Sequence, residues 1–116
     1  MGQLRELEQQ EVAVYYQKTV LKAWQEIDDA LSGYTAEQQQ ERELQARTHS
    51  AGQAYELARA RYDGGMADFL SMLDSQRSYL QARRALAASE GRLGTRYVMV
   101  DKAIGNAQIS EGGETK

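Results

Sequence analysis

The sequence predicts an all-α fold, a long antiparallel two-helix coiled-coil hairpin, and three observations indicate it. The 116-residue chain has no proline and is rich in Ala, Leu, Gln, Glu and Arg, all of which favour helix. Apolar side chains recur at heptad spacing in two long segments, which is typical of a coiled-coil contact line. Two adjacent glycines, Gly64 and Gly65, separate the segments, so we expect the chain to reverse there.

The first helix is predicted over residues 3–62. Its apolar residues form two stripes, made of Val20, Trp24, Ile27, Leu31 and Tyr34 and of Leu44, Ala51, Tyr55, Ala58 and Tyr62. The polar stretch 35–43 between them is expected to be a solvated part of the helix. Gly33 and Gly52 each cost about 1 kcal/mol relative to alanine inside a helix, and close packing against the second helix would compensate for this cost.

The first helix is predicted to be longer than the second. Its first turns therefore carry apolar residues that a single hairpin leaves without a partner, namely Leu4, Leu7, Val12, Val14, Tyr15 and Tyr16. We expect the isolated chain to self-associate through them.

The turn is predicted over residues 63–68. Its glycines can adopt the left-handed backbone conformation that ends a helix, and Asp68 is placed to cap the amino end of the next helix. Tyr62 and Asp68 are therefore assigned a structural role in the reversal. Asp74 follows inside the helix, where the simplest interpretation is a surface aspartate paired with Arg77 three residues later.

The second helix is predicted over residues 69–104. Its main heptad row is Met72, Tyr79, Leu86, Leu93 and Val100, and a second row beside it is Leu73, Leu80, Ala87 and Gly94. Gly105 is expected to end the helix, so that residues 1–105 form the hairpin and residues 106–116 a flexible tail.

Composition argues against several functions. The net charge of −3 gives no sign of nucleic-acid binding, and the absence of cysteine excludes disulfides and thiolate metal sites. No apolar run is long enough for a membrane-spanning helix, so the chain itself is expected to be soluble. His49 is the only histidine and has no ligand set around it, and no nucleophile and base occur together. We therefore expect no metal, no cofactor and no enzymatic activity.

The segment "LARARYDGGMADFLSMLDSQRSYLQARRALAASEGRLGTRYVMVDKAIG", residues 57–105, resembles the C-terminal repeat of TolC-like outer-membrane efflux proteins, in the OprM/NodT branch. The likeness is most specific in the turn and in the Leu73-Asp74-Ser75-Gln76-Arg77-Ser78 run that follows it. The segment "YYQKTVLKAWQEIDDALSGY", residues 15–34, is similar to the family's upstream helix. Ser71 departs from relatives that have an additional aspartate at this position.

The resemblance implies a periplasmic tunnel segment of a homotrimeric outer-membrane channel in the Gram-negative cell envelope. It implies that the tip, made of Gly64, Gly65, Met66 and Ala67, contacts a periplasmic adaptor protein, which connects the channel to an inner-membrane efflux transporter. It also implies that Leu70 and Asp74 face the lumen as the constriction, or gate, of the resting channel.

A hypothesis of a different class stays open at this point. The chain could be a soluble coiled-coil protein-interaction module unrelated to efflux, in which case the turn motif would have no role in docking. The two hypotheses differ in whether substitutions at the tip change binding to an adaptor.

Overall fold

A computed structural model describes the backbone of residues 2–112 and the side chains of residues 2–109. All regular structure in this part of the chain is helical: α1 spans Gly2–Asp63 and α2 spans Phe69–Gly112, with a short turn between them. The all-α prediction and the two-helix hairpin are confirmed. The predicted start of α2 at Phe69 is also the observed one.

The predicted end of α2 is wrong. Gly105 does not stop the helix, which continues to Gly112, so residues 106–112 of the expected tail are helical. A glycine inside a helix costs about 1 kcal/mol, which the favourable residues around it can offset. The remainder of the predicted tail, residues 113–116, lies outside the described residues.

The chain divides into two compact units. The tip unit consists of residues Thr35–Thr95 and includes the turn. The terminal unit consists of the described residues up to Tyr34 and from Arg96 onward.

In the tip unit, the side chains shielded from solvent follow a line whose steps alternate between three and four residues. The line is formed on α1 by Glu37, Glu41, Leu44, Thr48, Ala51, Tyr55 and Ala58, and on α2 by Met72, Ser75, Tyr79, Ala82, Leu86, Ser89 and Leu93, and a few half-buried residues, such as Gln38 and Leu73, lie beside it. This spacing is that of a coiled-coil seam. The main heptad row of α2 is confirmed. Of the second row only Leu73 is half-buried, whereas Leu80, Ala87 and Gly94 are exposed. The seam positions between the members of the main row are occupied by small residues, namely Ser75, Ala82 and Ser89.

The terminal unit has a seam of the same spacing. Its members are Tyr16, Val20, Ala23, Ile27, Ala30 and Tyr34 on α1, and Arg96, Val100, Ala103 and Ala107 on α2. The rings of Tyr34 and Tyr97 lie 6.2 Å apart between the helices. Trp24 and Leu31 were expected in the stripe, but each lies one residue beyond a seam position and is 58% and 46% exposed, respectively. One residue corresponds to about 100° of rotation, which turns these side chains away from α2.

The composition of the polar stretch 35–43 predicts that it is solvated throughout, and this prediction is wrong for one residue. Glu37 within it is only 5% exposed, because it occupies a seam position between Tyr34 and Leu44. Its Oε2 accepts a hydrogen bond from Ser89 Oγ at 2.8 Å, and its Oε1 accepts one from Arg92 Nε at 2.9 Å. A charge at this position is tolerated because α2 supplies both donors.

Gly33 and Gly52 make room for large side chains of α2. A Cβ atom at Gly52 would lie 3.1 Å from Cε1 of Tyr79, and one at Gly33 would lie 2.7 Å from Nη1 of Arg96. The Tyr79 ring also stacks on Tyr55 at 6.0 Å between centroids. Close packing was expected to compensate for the cost of these glycines. It consists of a contact between a seam side chain of α2 and the backbone of α1 at each glycine.

We expect Ser89→Ala to lower the free energy of unfolding by about 1–3 kcal/mol, because a buried carboxylate oxygen loses its donor. Urea unfolding of the chain measures this. The control is Ser78→Ala, an exposed serine of the same helix, for which we expect a change within about 0.5 kcal/mol. Equal effects of the two substitutions would contradict a specific contribution from the Ser89 hydroxyl.

Candidate functional site

The turn at the end of α1 has the hydrogen bonding of a Schellman motif. The Gly65 amide donates to the Tyr62 carbonyl at 3.0 Å, and the Met66 amide donates to the Arg61 carbonyl at 2.8 Å. Gly65 has a φ of +73°, in the left-handed region that a residue with a Cβ rarely adopts. The glycine expected to permit the reversal is therefore specifically Gly65, since the φ of Gly64 is not positive.

Asp68 occupies the N-cap position of α2. Its Oδ1 accepts a hydrogen bond from the Ser71 amide at 3.0 Å, which satisfies one of the free donors of the first turn. The Ser71 hydroxyl and then the Ser71 amide stabilise the carboxylate and hold the pKa of Asp68 below its ordinary value of 3.8. Ser71 thus contributes to the cap.

Two aromatic rings connect the helix ends across the turn. The ring of Tyr62 packs against that of Phe69 with the centroids 5.6 Å apart and the planes tilted by 55°. Tyr62 is the penultimate residue of α1, and Phe69 is the first residue of α2. The backbone hydrogen bonds, the Asp68 cap and this ring pair together define the geometry of the turn.

The residues at the apex are mostly open to solvent. Gly64, Gly65 and Met66 are exposed, Met66 by 80% of its surface, and Ala67 is half-buried. The four residues therefore form a small surface with one large apolar side chain.

The first turns of α2 continue this surface. Leu70 is 69% exposed and Asp74, four residues later on the same helical face, is also exposed. Within the described side chains, no ion pair joins Asp74 to Arg77, the partner expected from the simplest interpretation. An apolar and an acidic side chain thus lie one helical turn apart, both facing away from the seam.

The polar cluster of Glu37, Ser89 and Arg92 was missed by sequence reasoning. The signal for it is the phase of the heptad pattern, which places position 37 on the line through Tyr34 and Leu44. The composition of the stretch gave no indication of a buried cluster, because the residues around Glu37 are polar.

Other chemistry is not apparent in the part of the chain that the structure describes. No group of three or more His, Asp or Glu side chains there could hold a metal ion. Neither helix has a stretch within its described residues that is long and apolar enough to cross a membrane. His49 lies exposed on α1, at the edge of the groove beside Gly52 and Tyr79.

We expect Gly65→Ala to destabilise the chain by about 1–2 kcal/mol, because alanine must adopt the left-handed conformation there. Thermal or urea unfolding measures the loss. Gly64→Ala is the matched control, since its Cβ would make only an ordinary contact, 3.4 Å from the Ala60 carbonyl oxygen. We expect it to change stability by no more than about 0.5 kcal/mol. If Gly65→Ala were equally well tolerated, the left-handed turn would not be required.

Most of the chain is similar to known proteins. Residues 3–106 match the model of the family described as "Outer membrane efflux protein". The outer membrane protein OprJ of Pseudomonas aeruginosa is 35% identical over 75 residues, which cover 65% of this chain and 16% of that protein. Nodulation protein T of Rhizobium leguminosarum bv. viciae is 30% identical over 91 residues, 78% of this chain and 19% of the relative.

A third relative is the probable efflux pump outer membrane protein TtgC of Pseudomonas putida, 29% identical over 99 residues, or 85% of this chain. The matched part amounts to a fifth or less of the length of each of these relatives. No solved structure matches the chain. The family match covers almost all of the helical hairpin, and the chain therefore belongs to the outer membrane efflux protein family, in its TolC-like OprM/NodT branch.

Proposed function

We propose that the chain is a periplasmic tunnel segment of an outer-membrane efflux channel and forms conduit wall, entrance gate and docking tip. Family membership supports a role in efflux. Relatives named for antibiotic efflux, toluene efflux and pyoverdine export share this segment, so the exported compound differs among proteins that contain it. The segment would accordingly supply common machinery, not the recognition of one substrate.

The observation on which the docking proposal depends is an exposed apolar tip on a turn that is held by hydrogen bonds. Met66 presents most of its side chain to solvent, and Gly64 and Gly65 beside it leave the backbone uncovered. A partner could approach this backbone closely and bury the methionine. Because the Schellman hydrogen bonds and the Asp68 cap already hold the turn, docking would cost little conformational entropy.

The proposed partner at this tip is the hairpin of a periplasmic adaptor protein. Through the adaptor the channel would be connected indirectly to an inner-membrane transporter. The full-length parent would be a homotrimer, in which three copies of each tip surround the tunnel entrance. These assignments rest on the family and on the exposure of the tip residues.

The proposed gate consists of Leu70 and Asp74. Both side chains point away from the seam with α1, so they are free to face a lumen. In a trimer, three Asp74 carboxylates about 6 Å apart would repel one another by about 3 kcal/mol per pair at an effective dielectric constant near 20. Such a ring attracts cations, and three copies of Leu70 one turn nearer the entrance would add an apolar ring.

We expect Met66→Asp to weaken binding of the chain to an adaptor hairpin by about tenfold or more, because it replaces the central apolar contact by a charge. Surface plasmon resonance with immobilised adaptor measures the affinity. The control is Met99→Asp, which changes an exposed methionine that lies in α2, far along the chain from the turn, and should leave the affinity unchanged. Equal affinity of the wild type and Met66→Asp would contradict docking at the tip and favour the unrelated interaction module.

We expect Asp74→Ala in the full-length parent to raise single-channel conductance and to lower the preference for cations. The reason is that it shortens the side chain and removes the charge at the proposed constriction. Planar-bilayer recordings measure both quantities. Asp101→Ala, which removes an exposed aspartate elsewhere on α2, should leave them unaltered. Unchanged conductance for Asp74→Ala would return Asp74 to the role of an ordinary surface residue.

A further inference from the structure

We propose that copies of this chain associate through two complementary surfaces, an acidic face of the terminal unit and a basic face of the tip unit. The acidic face consists of five apolar residues with two aspartates beside them. The basic face consists of three apolar residues with three arginines beside them. The proposal concerns contacts between copies of the chain and does not depend on the proposed role in efflux.

The apolar part of the acidic face lies beside the seam of the terminal unit. Each of its residues directly follows a seam residue, so a rotation of about 100° places all of them on one side of their helices. They are Leu21, Trp24 and Leu31 on α1, and Tyr97 and Ile104 on α2. The two-fold axis that relates antiparallel helices is perpendicular to the plane of the pair, so these positions of α1 and α2 share one side. Each side chain is between 41% and 62% exposed.

Two carboxylates border this apolar surface. Asp28 and Asp101 also directly follow seam residues, so they lie on the same side as the apolar residues. The rings of Tyr34 and Tyr97 meet across the helices, which places the two aspartates within about 3 Å of the same level along the helix axis. Both aspartates are exposed, and within the described side chains neither takes part in an ion pair.

The opposite side of the terminal unit has a different composition. Most of the residues that directly precede its seam positions are charged or polar, among them Lys22, Glu26, Asp29, Lys102 and Asn106. An apolar partner is therefore expected on the acidic face and not on the opposite side, because exposed apolar surface of this extent is typical of an interaction site.

The basic face lies on α2 of the tip unit. It follows the second heptad row, whose first three members are Leu73, Leu80 and Ala87. Arg83 and Arg84 lie on opposite sides of the line through Leu80 and Ala87, each rotated from it by about 50°. Arg77 lies seven residues before Arg84 and therefore on the same side as Arg84. An exposed guanidinium is thus present on each flank of the apolar row.

The two faces match in shape. Paired helices lie about 8–10 Å apart, so they leave a groove along their contact that accepts a third helix. On α1 the apolar residues of the acidic face extend from Leu21 to Leu31, or about 15 Å. The row from Leu73 to Ala87 is about 21 Å long, so it can cover the groove along its length.

The two faces also match in charge. With the apolar row in the groove, Arg83 and Arg84 would point to the two flanks, where Asp28 and Asp101 lie at nearly the same level. Two acidic faces packed on each other would instead bring aspartates together, so pairing of unlike faces is favoured. The contact is heterologous, and a second copy of the chain supplies the partner face.

Sedimentation equilibrium measures the association constant of the chain. We expect Asp28→Lys/Asp101→Lys to weaken self-association by about tenfold or more, because like charges then meet on both flanks. The control is Asp29→Lys/Glu43→Lys, which makes the same change in net charge at exposed acidic residues outside the acidic face. It should retain the association constant of the wild type within about threefold.

A mixture of two variants tests the pairing of the faces directly. Arg83→Glu/Arg84→Glu should also fail to self-associate, because the introduced glutamates then meet Asp28 and Asp101. Mixed with Asp28→Lys/Asp101→Lys, it should associate within about threefold of the wild type, since opposite charges meet again between the two variants. Arg83 also lies 5.6 Å from the centre of the Tyr79 ring, so circular dichroism checks the fold. If the double variant unfolds, Arg84→Glu alone takes its place in the mixture.

The proposal is overturned if Asp28→Lys/Asp101→Lys associates like the wild type, or if the control variant weakens association equally. It is also overturned if the mixture of folded variants stays monomeric, or if the wild type itself is monomeric at every concentration. Loss of association on Leu4→Glu/Leu7→Glu alone would place the contact on the first turns of α1, as expected from the sequence, and not on the two faces.

Discussion

The packing of each unit depends on a narrow line of side chains between α1 and α2. Two helices can bury only one stripe each, and among the described residues the buried apolar side chains are Leu44, Ala82 and Ala103. Burial of apolar area is worth about 25 cal/mol per Å², so a seam of this width provides limited stabilisation. Individual contacts such as the hydrogen bonds of Glu37 therefore contribute a larger share of the stability than they would in a protein with a larger core.

The same narrow seam leaves much of the apolar surface open. Exposed side chains occur along α1 at Leu21 and Trp24, along α2 at Tyr97 and Val98, and at the tip at Met66. In a channel assembled from several hairpins, neighbouring helices would cover the lateral residues and leave the tip for the adaptor. Under the proposed function, the apolar side chains that α1 and α2 leave exposed would be covered by neighbouring hairpins and by the adaptor.

Order at the tip comes from local chemistry and not from burial. Gly65 provides the left-handed conformation, Asp68 caps α2 and the rings of Tyr62 and Phe69 meet across the turn. None of these contacts requires a core, so the apex can be exposed and still well defined. This combination is what a docking surface needs, because a partner meets a preformed shape.

The all-α fold, the reversal at Gly64-Gly65 and the family could be predicted from the amino-acid sequence, because helix propensity, heptad spacing and turn chemistry are local properties of the chain. It also indicated the cap by Asp68, since the N-cap hydrogen bond joins residues three apart. It did not determine which polar residue is buried or which apolar residues are exposed. Glu37 was expected in solvent, and Trp24 and Leu31 were expected in the seam.

These points follow from the folded hairpin, because they depend on which side of each helix faces the other helix. A difference of one residue along a helix rotates a side chain by about 100°. Where two neighbouring rows of a helix both contain apolar residues, the sequence does not show which row faces the other helix. The end of α2 was likewise not predictable from the sequence, since glycine commonly ends a helix and yet Gly105 lies within α2. The donors Ser89 and Arg92 are more than fifty residues from Glu37 along the chain, so only the folded hairpin brings them to its carboxylate.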